Sequence, residues 1–152
     1  MAFSDAINFY EYDQNLFSAG QPTEKQLINA AEQGVEVVVN LALSTSTGSL
    51  NNEFMTVRTL GMEYVHIPVM WEKPTADNLS RFMDVMDARR GKRIFVHCAM
   101  NFRATAFIAL WRILRLGWTH DAAFQPMYRV WNPKEFPAWD EFITQILGES
   151  EE

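Results

Sequence analysis

The sequence contains a single cysteine, Cys98, so the chain cannot form an internal disulfide bond. This composition is typical of proteins from a reducing compartment, and we expect a cytoplasmic location. The first residues show no basic segment followed by an apolar run, so the sequence predicts no secretory signal peptide. No apolar stretch reaches the length needed to cross a bilayer, so no membrane association is expected.

Basic residues are also scarce, with 13 Lys and Arg against 19 Asp and Glu and a net charge of −6. Nucleic-acid binders depend on clustered Lys and Arg to neutralise phosphates, so this balance argues against a nucleic-acid partner. It remains compatible with a small anionic substrate held in one local pocket. The three His and one Cys are too few and wrongly spaced for a metal site, so no metal is expected.

Strand-like and helix-like segments alternate along the 152 residues, of which 48% are hydrophobic. This pattern predicts a single domain over residues 1–152 with an α/β fold. We expect a central, mostly parallel sheet of about four to five strands with helices on both faces. Residues 35–41, VEVVVNL, are apolar without alternation, which indicates a strand covered on both sides. Residues 7–20, INFYEYDQNLFSAG, predict one or two short edge strands.

Local signals mark the ends of several helices. Thr23 and Gln26 form a capping-box pattern, and Thr75 is placed to cap another helix. Pro126 is expected to kink or split the helix that begins after Thr119. Gly148 is predicted to end the last helix of the chain.

The stretch VHCAMNFRAT, residues 96–105, places Cys98 where the strand of residues 93–97 ends and an apolar helix begins. The amides at a helix N-terminus carry partial positive charge, which favours a thiolate. The amides of residues 99–103 can curl into an anion-binding nest, and Arg103 adds a planar fork of donors. Thr105 can donate a hydroxyl hydrogen bond to the sulfur. The predicted phosphate-binding residues are Ala99, Met100, Asn101, Phe102 and Arg103.

A lone cysteine after an apolar strand is by itself more typical of a small buried hydrophobic residue. An arginine in the first turn of an otherwise apolar helix is not needed by a core, however. The combination of Cys98, His97 and Arg103 therefore favours an anion-binding site over simple packing.

The segment HCAMNFRAT resembles the signature of cysteine-dependent protein tyrosine and dual-specificity phosphatases, which is His-Cys, five residues, Arg, then Ser or Thr. The segments LFSAGQPTEKQL, GVEVVVNL, GMEYVHIPV and RIFVHC follow the element order of dual-specificity-like phosphatases. The similarity is greatest to the small bacterial branch called DUF442, or the beta-lactamase-hydrolase-like phosphatase family.

The resemblance implies a phosphatase that uses a phosphocysteine intermediate and needs no metal or organic cofactor. It implies that Cys98 attacks phosphorus, while Arg103 and the loop amides hold the phosphoryl oxygens. It also implies that His97 is buried and supports the loop through hydrogen bonds. The partner would be a phosphorylated small molecule or a phosphoprotein.

The loop departs from the family pattern because four residues, not five, separate Cys98 from Arg103. Either the loop is one residue shorter, or Ala104 occupies the usual arginine position and Arg103 has moved back by one. The usual loop glycine is replaced by Met100 and Asn101. Asn101 is the better suited of the two to a left-handed conformation.

The general acid also departs from the family pattern. The family's aspartate often follows a strand-ending proline by about three residues, and counting from Pro68 gives Trp71. The neighbouring Glu72 is the candidate acid, although a solvated loop carboxylate is an equally good interpretation. A general acid contributes about a hundredfold to ten-thousandfold, so without one poor leaving groups would react slowly.

Two alternative functions remain open at the level of sequence. A cysteine, four residues and an arginine are similar to the six-residue loop of rhodaneses, in which Cys98 would accept a sulfane sulfur. The chain could also be a catalytically weak module that binds a phosphate group through the same loop.

Overall fold

The structure is a computed structural model that describes residues 2–46 and 48–151. Its five strands are β1 (Tyr10–Asp13), β2 (Leu16–Ala19), β3 (Val37–Asn40), β4 (Glu63–His66) and β5 (Ile94–His97). Its α-helices are α1 (Glu24–Glu32), α2 (Glu53–Thr59), α3 (Ala76–Ala88), α4 (Phe102–Leu114), α5 (His120–Val130) and α6 (Pro137–Glu151). Two short 3-10 helices cover Phe3–Asp5 and Pro133–Glu135.

The strands form one sheet in the order β1-β2-β5-β3-β4. The β1 strand pairs antiparallel with β2, and the remaining three pairs are parallel. This arrangement confirms the predicted α/β fold with a mostly parallel sheet. The expectation of edge strands was correct only for β1. The β2 strand lies between β1 and β5, and all four of its residues are buried.

Helices cover both faces of the sheet, as the unbroken apolar run of β3 predicted. On one face, Phe17, Val38 and Phe95 pack with Leu27 of α1 and Val57 of α2. On the other face the strand side chains pack against residues of α3, α4, α5 and α6. That second layer includes Val37, Val39, Val96, Phe82, Phe107, Ala123 and Trp139.

The α4 helix is buried from Arg103 to Arg112 because it lies against the sheet and beneath α3, α5 and α6. Its apolar character on all sides therefore reflects a central position in the domain. Across the described residues, no helix combines the length and the apolarity required to span a membrane.

The predicted helix starts are confirmed. Thr23 and Gln26 form a complete capping box at α1, and the Thr75 hydroxyl caps α3. The predicted split at Pro126 and the predicted helix end at Gly148 are wrong. The α5 helix continues through Pro126, and α6 continues through Gly148. Proline in a helix removes one hydrogen bond, and the burial of the Pro126 ring compensates for this loss.

Candidate active site

The loop that carries Cys98 connects β5 to α4 at the carboxyl ends of the parallel strands. In open α/β sheets this edge is where ligands bind. The Cys98 amide donates to the Ala19 carbonyl oxygen at the end of β2, at 3.3 Å. Gly20 allows the loop to approach, because a Cβ atom there would lie 2.4 Å from the Ala99 carbonyl oxygen.

Three carbonyl groups of the loop accept hydrogen bonds from outside it. The pairs are Gln21 N to Ala99 O at 3.0 Å, Asn8 Nδ2 to Met100 O at 3.0 Å, and Thr105 Oγ1 to Asn101 O at 2.8 Å. Within a planar peptide the carbonyl and the following amide point in opposite directions. The amides of Met100, Asn101 and Phe102 therefore point away from these anchoring contacts.

Asn101 has a φ of 70°, which confirms the expected left-handed conformation at this position. It precedes α4, and its side-chain amide donates to the Asn8 carbonyl oxygen at 2.7 Å. Asparagine tolerates this conformation better than most residues, so it can replace the glycine that the family pattern has in this loop.

Cys98 and Arg103 line the same cavity of about 290 Å³. The structure leaves Cys98 with no exposed surface and Arg103 with 6%. One guanidinium nitrogen, Nη1 of Arg103, donates to the Val69 carbonyl oxygen at 2.8 Å. Arg103 forms no ion pair with a carboxylate of the described residues, so its other donors remain available to a ligand.

The position of Arg103 bears on the two interpretations of the shortened spacing. The α4 helix begins at Phe102, so Arg103 is the second residue of its first turn. Arg103 lines the cavity, whereas Ala104 is fully buried in the core on the sheet side. This placement fits a loop that is one residue shorter and keeps its arginine at the site.

The other wall of the cavity is aromatic and consists of Trp71, Phe102 and Phe136. Trp131 stacks on Phe102 with parallel rings 4.9 Å apart, and Trp71 meets Phe136 edge to face at 5.2 Å. Trp139 donates its indole hydrogen to the Trp71 carbonyl oxygen at 2.8 Å. The C-terminal segment therefore contributes directly to the site, which the sequence did not reveal for Phe136.

Thr105 does not donate to the sulfur, so this detail of the prediction is corrected. Its hydroxyl donates to the carbonyl oxygens of Asn101 at 2.8 Å and Phe102 at 3.0 Å. It also accepts the Trp131 indole hydrogen at 2.9 Å. A threonine inside a helix can reach the carbonyl four residues earlier, and this geometry takes the hydroxyl away from Cys98.

His97 is fully buried beneath the loop and contacts two oxygen atoms. Its Nε2 lies 2.6 Å from the Glu53 carboxylate, and its Nδ1 lies 3.2 Å from the Cys98 carbonyl oxygen. Gln21 donates to the second Glu53 oxygen at 2.8 Å. Each ring nitrogen therefore faces an oxygen, one on a carboxylate and one on a backbone carbonyl, which fixes the orientation of the ring beneath the loop.

The contact with His97 also affects the pKa of Glu53. Burial alone would raise the pKa of its carboxyl, but the charge and hydrogen bond of His97, the hydrogen bond from Gln21 and the charge of His66 together outweigh that effect. The pKa of Glu53 is therefore held below its ordinary value. Sequence reasoning missed Glu53, since a glutamate in the first turn of a short helix ordinarily faces solvent.

Glu72 is exposed in the turn that follows Trp71, and it is not among the residues that line the cavity. No aspartate or glutamate of the described residues lines it. The assignment of Glu72 as general acid therefore stays a prediction. The described residues also contain no group of three or more His, Cys, Asp or Glu side chains that could hold a metal ion.

Comparison with known proteins gives a family match over most of the chain. Residues 3–134 match the family described as DSP-PTPase phosphatase fused to NAD+ kinase. Among curated proteins, none matches the chain. Of the solved structures, a DUF442 protein of Shewanella putrefaciens CN-32 that is described as a candidate phosphatase has 31% identity and a TM-score of 0.86. The alignment covers 97% of this chain and 96% of that one.

Two more distant structures share the fold. TpbA of P. aeruginosa, solved in complex with pTyr, has 16% identity and a TM-score of 0.71, with 90% of this chain and 83% of that one covered. The core catalytic domain of the PP-IP phosphatase SIW14 of S. cerevisiae has 14% identity and a TM-score of 0.72, with 91% and 85% covered.

Proposed function

We propose that this chain, which belongs to the family described as DSP-PTPase phosphatase fused to NAD+ kinase, hydrolyses a phosphate monoester through Cys98. The observation that carries the proposal is that Cys98 and Arg103 line one cavity at the N-terminus of α4. A nucleophile and an oxyanion-binding cation are thereby brought together where the amides of the loop can also reach a bound anion.

The proposed reaction has two steps. The Cys98 thiolate attacks phosphorus, so that a sulfur–phosphorus bond forms while the ester oxygen leaves with a proton from the general acid. Water then attacks the phosphocysteine, which releases inorganic phosphate and restores the thiolate. Arg103 and the amides of residues 99–103 would hold the phosphoryl oxygens through both steps. Hydrolysis by this route requires no metal or organic cofactor.

His97, Glu53 and Gln21 would act as positioning residues beneath the loop. The Nδ1 atom of His97 contacts the Cys98 carbonyl oxygen, and the backbone amide of Gln21 donates to the Ala99 carbonyl oxygen. With its carbonyls fixed in this way, the loop can present its amides to an anion without reorganising, which is the condition for effective electrostatic stabilisation.

The cavity favours a single phosphate carried on a flat apolar group. Its wall consists of Trp71, Phe102 and Phe136, and Arg103 is the one cationic side chain among the described residues that line it. Aromatic rings pack well against such a wall. A substrate with several phosphates would find no second cationic partner there. We therefore propose an aryl phosphate, free or as phosphotyrosine in a protein.

The direct test is the release of phosphate from three esters by the purified chain. We expect release of inorganic phosphate from p-nitrophenyl phosphate and from free phosphotyrosine, and much slower release from inositol hexakisphosphate. Thiosulfate with cyanide should yield no thiocyanate. Thiocyanate formation would instead support the sulfurtransferase alternative.

The binding module is the second candidate, and the lack of a carboxylate in the described cavity lining favours it. It would be supported by tight binding of orthovanadate to Cys98 and Arg103 without release of phosphate from any ester.

The role of Glu72 can be tested by its replacement with glutamine. If the turn that follows Trp71 brings this carboxyl to the leaving group, Glu72→Gln should lower kcat about a hundredfold for phenyl phosphate, a poor leaving group. It should have little effect on p-nitrophenyl phosphate, whose leaving group needs less protonation. The measurement is kcat for both esters across pH 5 to 8.

Glu135→Gln is the matched control. Glu135 is exposed and precedes Phe136, just as Glu72 is exposed and follows Trp71, so each carboxylate adjoins one residue of the aromatic wall. If only the Glu135 variant loses phenyl phosphate hydrolysis, the general acid would be Glu135, on the opposite side of the cavity, and not Glu72.

A further inference from the structure

A second cavity lies at the opposite end of the sheet from Cys98. It has a volume of about 430 Å³ and is bordered by Leu16 and Ile94, the first residues of β2 and β5. Because a strand rises about 3.3 Å per residue, Ile94 and Cys98 are separated by about 13 Å along the strand. This distal cavity therefore shares no residue with the proposed active site.

The distal cavity concentrates positive charge in a protein with a net charge of −6. Four of the chain's 13 basic residues line it, and Asp13 is the one carboxylate that does so among the described residues. The basic residues are Arg89, Arg90, Lys92 and Arg112. Glu63 neutralises Arg89, and Asp87 lies 3.5 Å from Arg90, whereas Lys92 and Arg112 have no ion pair with a described residue.

Arg112 is the most unusual of these side chains because it is only 6% exposed. Its guanidinium carbon lies 4.9 Å from the centre of the Tyr12 ring and 4.1 Å from that of Trp118. These contacts and the nearby C-terminus of α4 favour the cation. The guanidinium makes no hydrogen bond with any described residue, however.

Arg112 lines the cavity, and no hydrogen bond of the described residues uses its guanidinium donors, so these donors are available to an acceptor that enters the cavity. The charge of Asp13 favours the Arg112 cation, but no ion pair or hydrogen bond joins the two side chains, and the Asp13 carboxylate accepts the amide of Asn15. Burial also lowers the pKa of Arg112, which means that an anion bound beside it would relieve an existing electrostatic penalty.

We propose that the distal cavity binds a small organic oxyanion, with its phosphate or carboxylate group on Arg112 and Lys92. The remaining walls include Trp111, Leu116 and Trp118, which suit an apolar or ring-shaped portion of the same molecule. The combination of a guanidinium fork with an apolar wall selects an organic anion over inorganic phosphate. This site is independent of the proposed phosphatase activity.

The five tryptophans of the chain allow the two sites to be observed separately. Trp111 and Trp118 line the distal cavity, whereas Trp71 lines the cavity of Cys98. Phenylphosphonate, which phosphatases cannot hydrolyse as an ester, is titrated into the nitrogen-15-labelled chain while the indole N–H signals are followed by NMR. Binding at the distal site should shift the Trp118 and Trp111 signals in a saturable manner, and inorganic phosphate should bind there more weakly.

Arg112→Met should weaken the distal binding at least about tenfold, because a charge-assisted hydrogen bond is lost. Lys92→Ala, a change at an exposed position that does not threaten folding, should weaken it about threefold. The matched control Lys73→Ala lies in the turn next to Glu72 and should leave the distal binding unchanged. Neither distal variant should alter the response of Trp71.

Shifts confined to Trp71 would overturn the proposal. So would a Trp118 response that survives both Arg112→Met and Lys92→Ala with its affinity unchanged. If Arg112→Met does not fold, the affinity of Lys92→Ala decides the result alone.

Discussion

Replacement of Cys98 with serine is expected to lower the release of phosphate from p-nitrophenyl phosphate by at least about a thousandfold. A serine hydroxyl stays protonated at neutral pH, and the site contains no histidine positioned to remove its proton, because both ring nitrogens of His97 already face other acceptors. The measurement is kcat/KM for the wild-type chain and the variant. Rapid acid quenching should also trap phosphate on the wild-type chain and none on the variant.

Because the sequence contains a single cysteine, any phosphocysteine that is trapped must have formed at residue 98. Cys98 is fully buried, so Cys98→Ala is needed beside the serine variant to separate loss of the nucleophile from the cost of burying a hydroxyl. Both variants should unfold within a few degrees of the wild type. Equal turnover by the wild type, Cys98→Ser and Cys98→Ala would show that Cys98 is not the nucleophile.

The overall fold could be predicted because its signals are local. The apolar run at residues 35–41 requires cover on both faces, and β3 indeed lies inside a sheet with core layers on each side. The capping residues Thr23 and Thr75 fix helix starts by hydrogen bonds to the next few amides, which requires no knowledge of the tertiary structure.

The incorrect predictions concern features that depend on packing. Pro126 and Gly148 were expected to interrupt helices because each is unfavourable in an isolated helix. Within the domain, the buried side of α5 holds Pro126 in place, so tertiary contacts outweigh the local preference. The position of β2 was likewise hidden, because a short strand does not reveal in its sequence whether a neighbouring strand covers its edge.

In the candidate site, too, some residues could be predicted from local sequence, and others are brought together only by the fold. Cys98 and Arg103 are five positions apart, so their proximity follows from one strand end and one helix start. Glu53 lies 44 positions from His97, and Phe136 reaches the cavity from the C-terminal segment. No sequence pattern links such distant residues, so the support beneath the loop and the aromatic wall above it emerge only from the fold.

The contact between Arg103 and Val69 affects how a loop with four residues between Cys98 and Arg103 can bind an oxyanion. A guanidinium can hold an oxyanion through two of its nitrogens, either Nη1 with Nη2 or Nε with Nη2, and Nη1 already donates to the Val69 carbonyl oxygen. One N–H of Nη1, together with Nη2 and Nε, remains available, so the Val69 contact restricts the rotation of the guanidinium while leaving donors for an oxyanion. If Arg103 binds the phosphoryl group as proposed, this contact would fix the direction in which the guanidinium points.

Arg103→Lys and Arg103→Met should therefore both be severely impaired, for different reasons. Removal of one oxyanion donor typically costs about a hundredfold to a thousandfold in kcat, so Arg103→Met should lose at least about a thousandfold. Lysine keeps the charge but cannot hold both Val69 and a phosphoryl oxygen in a planar fork, so Arg103→Lys should lose about a hundredfold. The matched control is Arg81→Met, which removes an exposed arginine paired with Asp77 and should change kcat by less than about twofold.

Inhibition by orthovanadate provides a second measurement. If Arg103 binds the phosphoryl group, its replacement should weaken orthovanadate inhibition in parallel with the loss of kcat. Full turnover and unaltered inhibition in Arg103→Met would mean that the loop amides alone bind the phosphoryl group.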